Sequence, residues 1–215
     1  MACYLNSYKP LVLTAIGRAA SRHFDIPPFV DGSIRREPDL EYDYPAITCL
    51  CRADKFAPRL AEDDLVAYMT TKRRFGRGVP HRRLTAVLHV IDVVDSHEEG
   101  AAWYRQRRLP LPNNCMVLGN RAKPLQQSHQ HSPVLACGGE SGCGLWDRRY
   151  RIRARRWGTF VICERLWAEL SWDAPVIEDD DLIAAFDSVP GTRNPGALPL
   201  AQFNDFLEIM GIEVP

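Results

Sequence analysis

The sequence predicts an α+β fold, with strands in the first two thirds of the chain and short helices near its end. The strand predictions rest on runs of branched and aromatic side chains, which favour a pleated, half-buried backbone. The predicted strands are residues 3–8, 11–16, 65–70 and 84–94. The helix predictions rest on apolar residues spaced three or four apart, or on acidic residues that precede an apolar run. The predicted helices near the end of the chain are residues 181–186 and 200–210.

The connections between these elements have signatures of their own. Ser96 followed by Glu99 is a capping box, which predicts a short helix after the strand at 84–94. Residues 18–22 predict one helical turn. Residues 72–83 combine basic side chains with glycine and proline, and this composition predicts a basic hairpin loop.

Two later segments are distinct in composition. Residues 123–144 are rich in Gln, His, Ser and Gly, which predicts a mobile loop or connector. Residues 146–161 alternate apolar side chains with arginines, and this period of two predicts a strand with the arginines on one face. A helix is the alternative for the arginine-rich half, because Arg and Ala are good helix formers.

Length and composition set the broad class. A chain of 215 residues is expected to form one domain over residues 1–170, with a helical extension over residues 171–215 packed on it. The 46% hydrophobic and 25% charged shares are those of a globular protein. The sequence has no apolar run of membrane-spanning length and no signal-peptide core in residues 1–10, so a cytoplasmic location is expected. Seven cysteines without a regular framework predict reduced thiols, and Cys49 and Cys51 are expected to be buried and inert.

The most informative segment lies between a Gly-Ser turn and a Tyr-Pro turn. It carries four ionisable residues close together, namely Arg35, Arg36, Glu37 and Asp39. A buried strand could not hold such groups unpaired, whereas a loop on a rigid scaffold could carry them toward a ligand. Adjacent guanidinium groups would keep Glu37 and Asp39 ionised, so that a carboxylate could bind a base or, in an enzyme, position water against a sugar carbon. The alternative is a structural ion network that fixes the loop.

Two basic clusters are candidates for contact with phosphate. The net charge of the chain is zero, but nearly half of its Lys and Arg residues lie in two short stretches, residues 72–83 and 147–157. Such clusters can neutralise phosphates and release counterions even when the whole protein is neutral. The alternative is that these side chains form solvated faces or pair with nearby acids. The predicted phosphate-binding residues are Lys72, Arg73, Arg74, Arg149, Arg151 and Arg153.

Recognition of a base outside a double helix requires a flat side chain for stacking and polar groups for the base edge. Tyr68, Trp103 and Trp146 could supply the stacking surface, with packing in the core as the alternative for each. Asparagine side chains could supply the donors and acceptors, although they are also ordinary turn residues. The predicted base-binding residues are Arg35, Arg36, Arg52, Tyr68, Asn114, Asn120 and Trp146.

No metal and no cofactor are predicted. His129, His131, Cys137 and Cys143 lie within fifteen residues, but their spacing matches no common zinc finger and a paired CxxC is missing. The sequence also lacks a nucleophile elbow, a phosphate-binding loop with its lysine, a dinucleotide fingerprint and the deaminase zinc pattern. Enzymatic activity therefore has no sequence signature beyond the carboxylates at Glu37 and Asp39.

Several blocks of the sequence resemble a known family. The blocks are GSIRREPDLE, PAITCLCR, FAPRLAEDDLVAYMT, AAWY, LPNNCMV and PGTRNPGAL. They resemble the nucleotide modification associated domain proteins over roughly residues 1–195. That family is similar to the PUA, ASCH and EVE barrels, so the resemblance implies a PUA-like mixed β-barrel with flanking helices. One departure is Asp63-Asp64, where related sequences tend to have Gly-Asp.

The resemblance also implies a class of ligand, because PUA-like barrels bind unusual nucleobases and the family is linked to hypermodified DNA bases. The resulting hypothesis is a module that binds nucleic acid, with DNA favoured over RNA, and recognises a modified or flipped base. The alternative is a base-processing enzyme such as a DNA glycosylase, in which Glu37 and Asp39 would be catalytic. A second alternative is a protein-interaction domain. A membrane partner is not expected.

Overall fold

The computed structural model describes residues 1–76, 78–130 and 140–214, and for residues 140–143 it describes the backbone alone. This part of the chain is an α+β fold built on a curled sheet that forms half a barrel. The strands are β1 (Cys3–Tyr8), β2 (Ala46–Thr48), β3 (Leu65–Thr70), β4 (Arg82–Val94), β5 (Phe160–Ala168) and β6 (Val176–Ile177). The helices are α1 (Ala15–Phe24), α2 (His97–Gln106), α3 (Glu140–Arg156), α4 (Asp179–Phe186) and α5 (Leu200–Ile209). No helix in these described ranges is long and apolar enough to cross a membrane.

The sheet is organised around the long strand β4. Its strand order is β1-β3-β4-β5-β2, and β6 pairs with the start of β4. The pair β1 and β3 is parallel, whereas the other pairs are antiparallel. The β4–β5 pairing shifts register after Val87 and again after Val90. Such bulges bend and twist a strand, which favours the curled shape of this sheet.

Successive side chains of β3 point to opposite faces of the sheet and pack into two separate cores. Val66 and Tyr68 pack into a first core together with the segment between β2 and β3. Ala67 and Met69 point the other way, into a second core that contains Phe206 of α5. The C-terminal helices α4 and α5 therefore cover one face of the sheet and share its core.

Most of the predicted regular elements are confirmed. The strands predicted at 3–8 and 65–70 coincide with β1 and β3, and the strand predicted at 84–94 lies within β4. The basic loop at 72–83 joins β3 to β4 as the connection of an antiparallel hairpin. The helix predicted after Ser96 is α2, and the Oγ of Ser96 accepts a 3.1 Å hydrogen bond from the backbone N–H of Glu99. Both C-terminal helices are present as α4 and α5.

The predicted strand at 11–16 is wrong. Leu11–Leu13 form a 3-10 turn, and α1 begins at Ala15. Thr14 caps this helix, because its side chain accepts a 3.0 Å hydrogen bond from the backbone N–H of Gly17. The helical turn predicted at 18–22 lies inside this longer helix.

The predicted strand at 146–161 is also wrong, and the helical alternative for its arginine-rich half is confirmed. Helix α3 ends at Arg156, and β5 begins only at Phe160. Tyr150 and Ala154 are four residues apart, so they lie on one helical face and pack against Ile34. Of the loop predicted at 123–144, residues 123–130 are irregular apart from a 3-10 turn, residues 140–144 begin α3, and residues 131–139 lie outside the described part.

Candidate functional site

The charged segment at residues 31–40 is buried along its whole length. Arg35 is 1% exposed and Arg36 is 0% exposed. Burial lowers the pKa of both guanidinium groups, so their N–H donors need partners inside the protein. Both side chains bind the protein's own backbone, and this placement contradicts the expectation that they line a surface open to a base.

Arg35 joins the buried segment to the loop after α2 and to α3. Its Nη1 donates hydrogen bonds to the carbonyl oxygens of Asn113 at 2.9 Å and of Asn120 at 3.1 Å. Its Nε donates to Oδ1 of Asp147 at 2.8 Å, and its Nη2 contacts the same oxygen. The ion pair between Arg35 and Asp147 therefore fixes α3 against the segment.

Arg36 closes the segment onto itself and onto the residues before α3. Its Nη1 donates to the carbonyl oxygens of Asp31 and Ser33, both at 2.8 Å, and its Nη2 donates to that of Gln127 at 2.7 Å. The backbone of Arg36 has a φ of 47°, in the left-handed region that costs a non-glycine residue about 1–3 kcal/mol. The three hydrogen bonds of its side chain hold this conformation in place.

Glu37 connects the segment to β2 and to the loop after α2. Its Oε1 accepts a 2.7 Å hydrogen bond from the backbone N–H of Thr48, and its Oε2 accepts one at 2.7 Å from the Thr48 hydroxyl. Asn114 donates a third hydrogen bond, at 2.8 Å, to Oε2. Burial raises the pKa of this carboxyl to about 7, against the opposing effect of these three donors. The protonation of this carboxyl therefore changes near neutral pH, well above the ordinary range of a glutamate.

Asp39 is fully buried and binds the backbone. Its Oδ2 accepts a 3.0 Å hydrogen bond from the N–H of Asn113, while its Oδ1 has no hydrogen-bond partner among the described residues. Burial raises the pKa of this carboxyl to about 6. In the described ranges, the neighbouring arginines form no ion pair with either Glu37 or Asp39. The segment is thus a buried polar network whose charged groups bind backbone groups and the side chains of Thr48, Asn114 and Asp147.

Tyr68 lies next to Glu37 in the first core. Burial and, after it, the negative charge of Glu37 raise the pKa of the Tyr68 hydroxyl well above its ordinary value. Asn6 donates a 3.3 Å hydrogen bond to this hydroxyl, and the Tyr8 ring lies 6.2 Å from the Tyr68 ring between centroids. Tyr68 is 2% exposed, so its ring is packed in the core and offers no free face for stacking. This position agrees with the alternative, core packing, and not with a base-stacking role.

Arg52 extends from the loop after β2 and is partly exposed. Its Nη1 and Nη2 donate to the carbonyl oxygens of Arg193 and Ser7, respectively. These contacts join the loop to the end of β1 and to the segment before α5. Burial lowers the pKa of the Arg52 guanidinium, and the nearby charge of Arg193 lowers it further, although Tyr68 and other acidic groups oppose this change.

Cys51 is an exposed residue that directly precedes Arg52 in the loop after β2. Solvent reaches its side chain, yet the surrounding protein removes enough water to raise the pKa of its thiol well above the ordinary value. The positive charges of Arg153 and Arg52 act on this thiol in the opposite direction. Arg153 comes from the last turn of α3 and donates a hydrogen bond to the carbonyl oxygen of Leu50. We call the following residues the Arg52 cluster: Glu37, Cys51, Arg52, Tyr68, Arg153 and Arg193.

The Arg52 cluster has an excess of positive charge. Among the described residues, no carboxylate oxygen lies within 4.0 Å of a guanidinium nitrogen of Arg52, Arg153 or Arg193. Guanidinium groups without a carboxylate partner are suited to bind phosphate, because their planar donors match two of its oxygens.

Comparison of this chain with protein-family models, with curated proteins and with solved structures finds no match. The functional proposal therefore rests on the chemistry of these side chains.

The structure disperses part of the predicted base-binding set. Asn114 lies beside the cluster through its hydrogen bond to Glu37. The Nδ2 of Asn120 donates to the carbonyl oxygens of Pro112 and Cys115, at 2.9 and 2.7 Å, so Asn120 shapes its own loop. Trp146 packs against the core beneath α3.

The predicted phosphate-binding residues divide in the same way. Lys72 pairs with Asp179 at 2.6 Å, while Arg73 and Arg74 are exposed on the hairpin. On α3, the Arg149 guanidinium lies 5.0 Å from the centroid of the Trp146 ring, and the Nε of Arg151 binds Asp147 at 2.8 Å. Arg153 is the member of the predicted set that reaches the Arg52 cluster.

Sequence reasoning missed two members of the cluster. Cys51 was expected to be an inert buried thiol, whereas solvent reaches it. Arg193 lies in the block PGTRNPGAL, which carried part of the family resemblance but contributed no residue to the predicted site. The position of this block in the resemblance was the signal that could have identified Arg193.

The candidate metal ligands are only partly described. The side chain of His129 packs against Gly32, since an added Cβ at Gly32 would lie 1.7 Å from the His129 ring. His131 and Cys137 lie outside the described residues, and the side chain of Cys143 is not described either. Within the described ranges, no group of three or more His, Cys, Asp or Glu side chains could hold a metal ion.

Proposed function

We propose that this protein binds nucleic acid, with DNA favoured over RNA, and takes a modified or flipped base at the Arg52 cluster. The observation that carries this proposal is the convergence of Arg52, Arg153 and Arg193 without a carboxylate partner among the described residues. Such groups can neutralise phosphates and release their counterions. Arg52 fixes its loop through the carbonyl oxygens of Arg193 and Ser7, so the exposed Arg153 and Arg193 are the groups that could donate to a phosphate or to a base edge.

The scaffold supports the same proposal. We infer that the curled half-barrel is a PUA-like barrel, in keeping with the sequence blocks that resemble nucleotide modification associated domains. Those blocks contribute Glu37, Cys51, Arg52, Tyr68 and Arg193 to the cluster, and α3 adds Arg153. A base turned out of a duplex would enter beside Cys51, where solvent already reaches the protein.

Binding is favoured over base excision by the state of the two carboxylates. Three donors already occupy Glu37, and Asp39 is 0% exposed. Neither group has the free approach to a sugar carbon that a glycosylase needs for its water or nucleophile. The hydrogen bonds of Glu37 to Thr48 instead fix the end of β2, the strand that leads to Arg52.

The decisive experiment measures binding of modified and unmodified DNA, single-stranded and duplex, over a range of salt concentrations. We expect Arg153→Ala and Arg193→Ala each to weaken binding about tenfold and to reduce the salt slope by about one. Arg149→Ala is the matched control, because Arg149 lies one helical turn before Arg153 and contacts Trp146 instead. It should leave affinity and slope almost unchanged.

Several outcomes would contradict the proposal. Equal effects of Arg149→Ala and Arg193→Ala would show that binding, where it occurs, is unrelated to the cluster. No binding of any DNA or RNA at low salt would leave the protein-interaction alternative. Mass analysis of the same incubations separates a binding module from an enzyme, since released base would indicate excision.

A further inference from the structure

A second site lies on the sheet away from the Arg52 cluster. A cleft of about 550 Å³ opens where α2, the loop after it and Tyr44, two residues before β2, meet the strands β4 and β5. Its volume falls in the range of small-molecule sites. Its lining residues are Tyr44, Ile91, Asp92, Trp103, Arg107, Leu109 and Glu164. None of these residues belongs to the Arg52 cluster.

Two aromatic rings form a corner in this cleft. The ring centroids of Trp103 and Tyr44 are 5.9 Å apart, and the ring planes make an angle of 55°. Both residues are only partly buried. The backbone at Tyr44 is fixed, because its carbonyl oxygen accepts a 2.7 Å hydrogen bond from the hydroxyl of Tyr104. The corner is therefore built on a fixed backbone and is still accessible.

The cleft already holds a cation against one of these rings. The guanidinium carbon of Arg107 lies 3.9 Å from the centroid of the Trp103 ring, and its Nη1 donates to the Trp103 carbonyl oxygen at 3.3 Å. Arg107 is exposed and follows the last residue of α2, so its side chain can leave the ring without disturbing the fold. The face of Trp103 is thus suited to a planar or alkylated cation.

Two acidic side chains of the cleft are free to neutralise a further cation. Asp92 and Glu164 form no ion pair and accept no side-chain hydrogen bond from any residue in the described ranges. Arg107 therefore does not pair with them across the cleft. Aromatic faces together with unpaired carboxylates recognise organic cations through combined cation–π and ionic attraction.

We propose that this cleft binds a small organic cation bearing an amine or guanidinium group, which replaces Arg107 on Trp103 and is neutralised by Asp92 and Glu164. The cation can come from a free polyamine or from a basic side chain of a peptide, since the two share this chemistry. In the unliganded protein Arg107 acts as an internal competitor. The proposal is independent of nucleic-acid binding at the Arg52 cluster.

The test is calorimetric titration of the protein with three probes, combined with observation of the indole NMR signal of Trp103. Spermidine represents a polyamine, N-acetylarginine methylamide represents a basic side chain of a peptide, and guanosine monophosphate tests for a nucleotide site. We expect one of the two cations to bind and to shift that signal. The tighter of the two identifies a polyamine or a peptide side chain as the source. The double variant Asp92→Asn/Glu164→Gln should weaken binding about tenfold.

Arg107→Ala separates this proposal from a nucleotide site. Removal of the internal competitor should strengthen cation binding by about threefold, whereas it would weaken the binding of a phosphate group. Absence of binding by both cations, weaker cation binding in Arg107→Ala, or preferential binding of guanosine monophosphate would overturn the proposal. The melting temperatures of all variants should stay near that of the wild type, because the substituted side chains are at least partly exposed.

Discussion

Asn114 donates a 2.8 Å hydrogen bond to Oε2 of Glu37, a contact between residues 77 positions apart in the sequence. The same carboxyl binds Thr48 twice, at the end of β2. Glu37 therefore joins the buried charged segment, the loop after α2 and the strand that leads to Arg52. Because burial raises its pKa to about 7, the strength of this junction depends on pH near neutrality.

The first prediction concerns the pH dependence of stability. The pKa of Glu37 is about 7 in the folded state and near its ordinary value of 4.5 in the unfolded state, so the folded protein binds this proton more tightly. The resulting stabilisation is complete below about pH 4.5 and is lost as the pH rises through about 7. We expect the free energy of unfolding to fall by up to about 3 kcal/mol over this range, as measured by urea denaturation.

Glu37→Gln is the matching variant, because it has no proton to lose and should flatten this dependence. In this variant the free energy of unfolding should still fall as the pH rises toward about 6, because burial raises the pKa of Asp39 to about 6. The double variant Glu37→Gln/Asp39→Asn should remove that slope as well. If Glu37→Gln kept the full wild-type slope, the carboxyl of Glu37 would not titrate in this range.

The regular part of the fold could be predicted because its signals are local. The branched and aromatic runs of β1 and β3 fit a pleated strand and little else. Residues 146–161 fit two periods at once, since Tyr150 and Ala154 satisfy both an alternation of two and a spacing of four. The packing of these residues against Ile34, which is distant in sequence, stabilises the helix, and no local pattern reports that contact.

The site was harder to predict because its partners are far away in the sequence. Arg35 looks like a ligand-binding residue from its neighbours alone, but Asn113 and Asp147 take up its donors. Arg52 and Arg193 come together through hydrogen bonds to backbone carbonyl groups, which have no sequence signature. The residue types of a polar site could thus be predicted, but which of them would be satisfied internally could not.

The second prediction compares two arginines that share one partner. Arg35 and Arg151 both bind Asp147, but Arg35 is 1% exposed whereas the Arg151 side chain is 51% exposed. Arg35→Ala should cost roughly 3–5 kcal/mol of unfolding free energy, because it leaves a carboxylate and two carbonyl groups without their buried donor. Arg151→Ala should cost less than about 1 kcal/mol. Chemical denaturation at constant pH measures both, and similar costs would mean that burial does not determine the strength of these contacts.

The third prediction uses two glycines on helices. A Cβ added at Gly100 of α2 would lie 2.5 Å from the Phe160 ring, so Gly100→Ala should cost about 1–3 kcal/mol through overpacking. A Cβ added at Gly144 of α3 would have no heavy atom of the described residues within 4 Å, apart from the backbone of its own helix, so Gly144→Ala should stabilise the protein by up to about 1 kcal/mol. Thermal unfolding of the two variants should give shifts of opposite sign. A stabilising Gly100→Ala would show that α2 can move away from β5.

The last prediction tests the position of the Arg52 cluster through the reactivity of Cys51. Cys51 is exposed, but its raised pKa leaves little thiolate at neutral pH, so a maleimide should modify it more slowly than a free cysteine. The rate should increase with pH beyond the ordinary thiol range. Peptide mapping by mass spectrometry distinguishes Cys51 from the other cysteines, and Cys3 provides a buried control that should react only after denaturation.

Because Cys51 lies beside Arg52 and near Arg153, a nucleic acid bound at the cluster should protect it from the reagent. Loss of that protection in Arg193→Ala, with protection kept in Arg149→Ala, would place the ligand at the cluster. Equal labelling of Cys51 with and without saturating nucleic acid would place the ligand elsewhere on the protein.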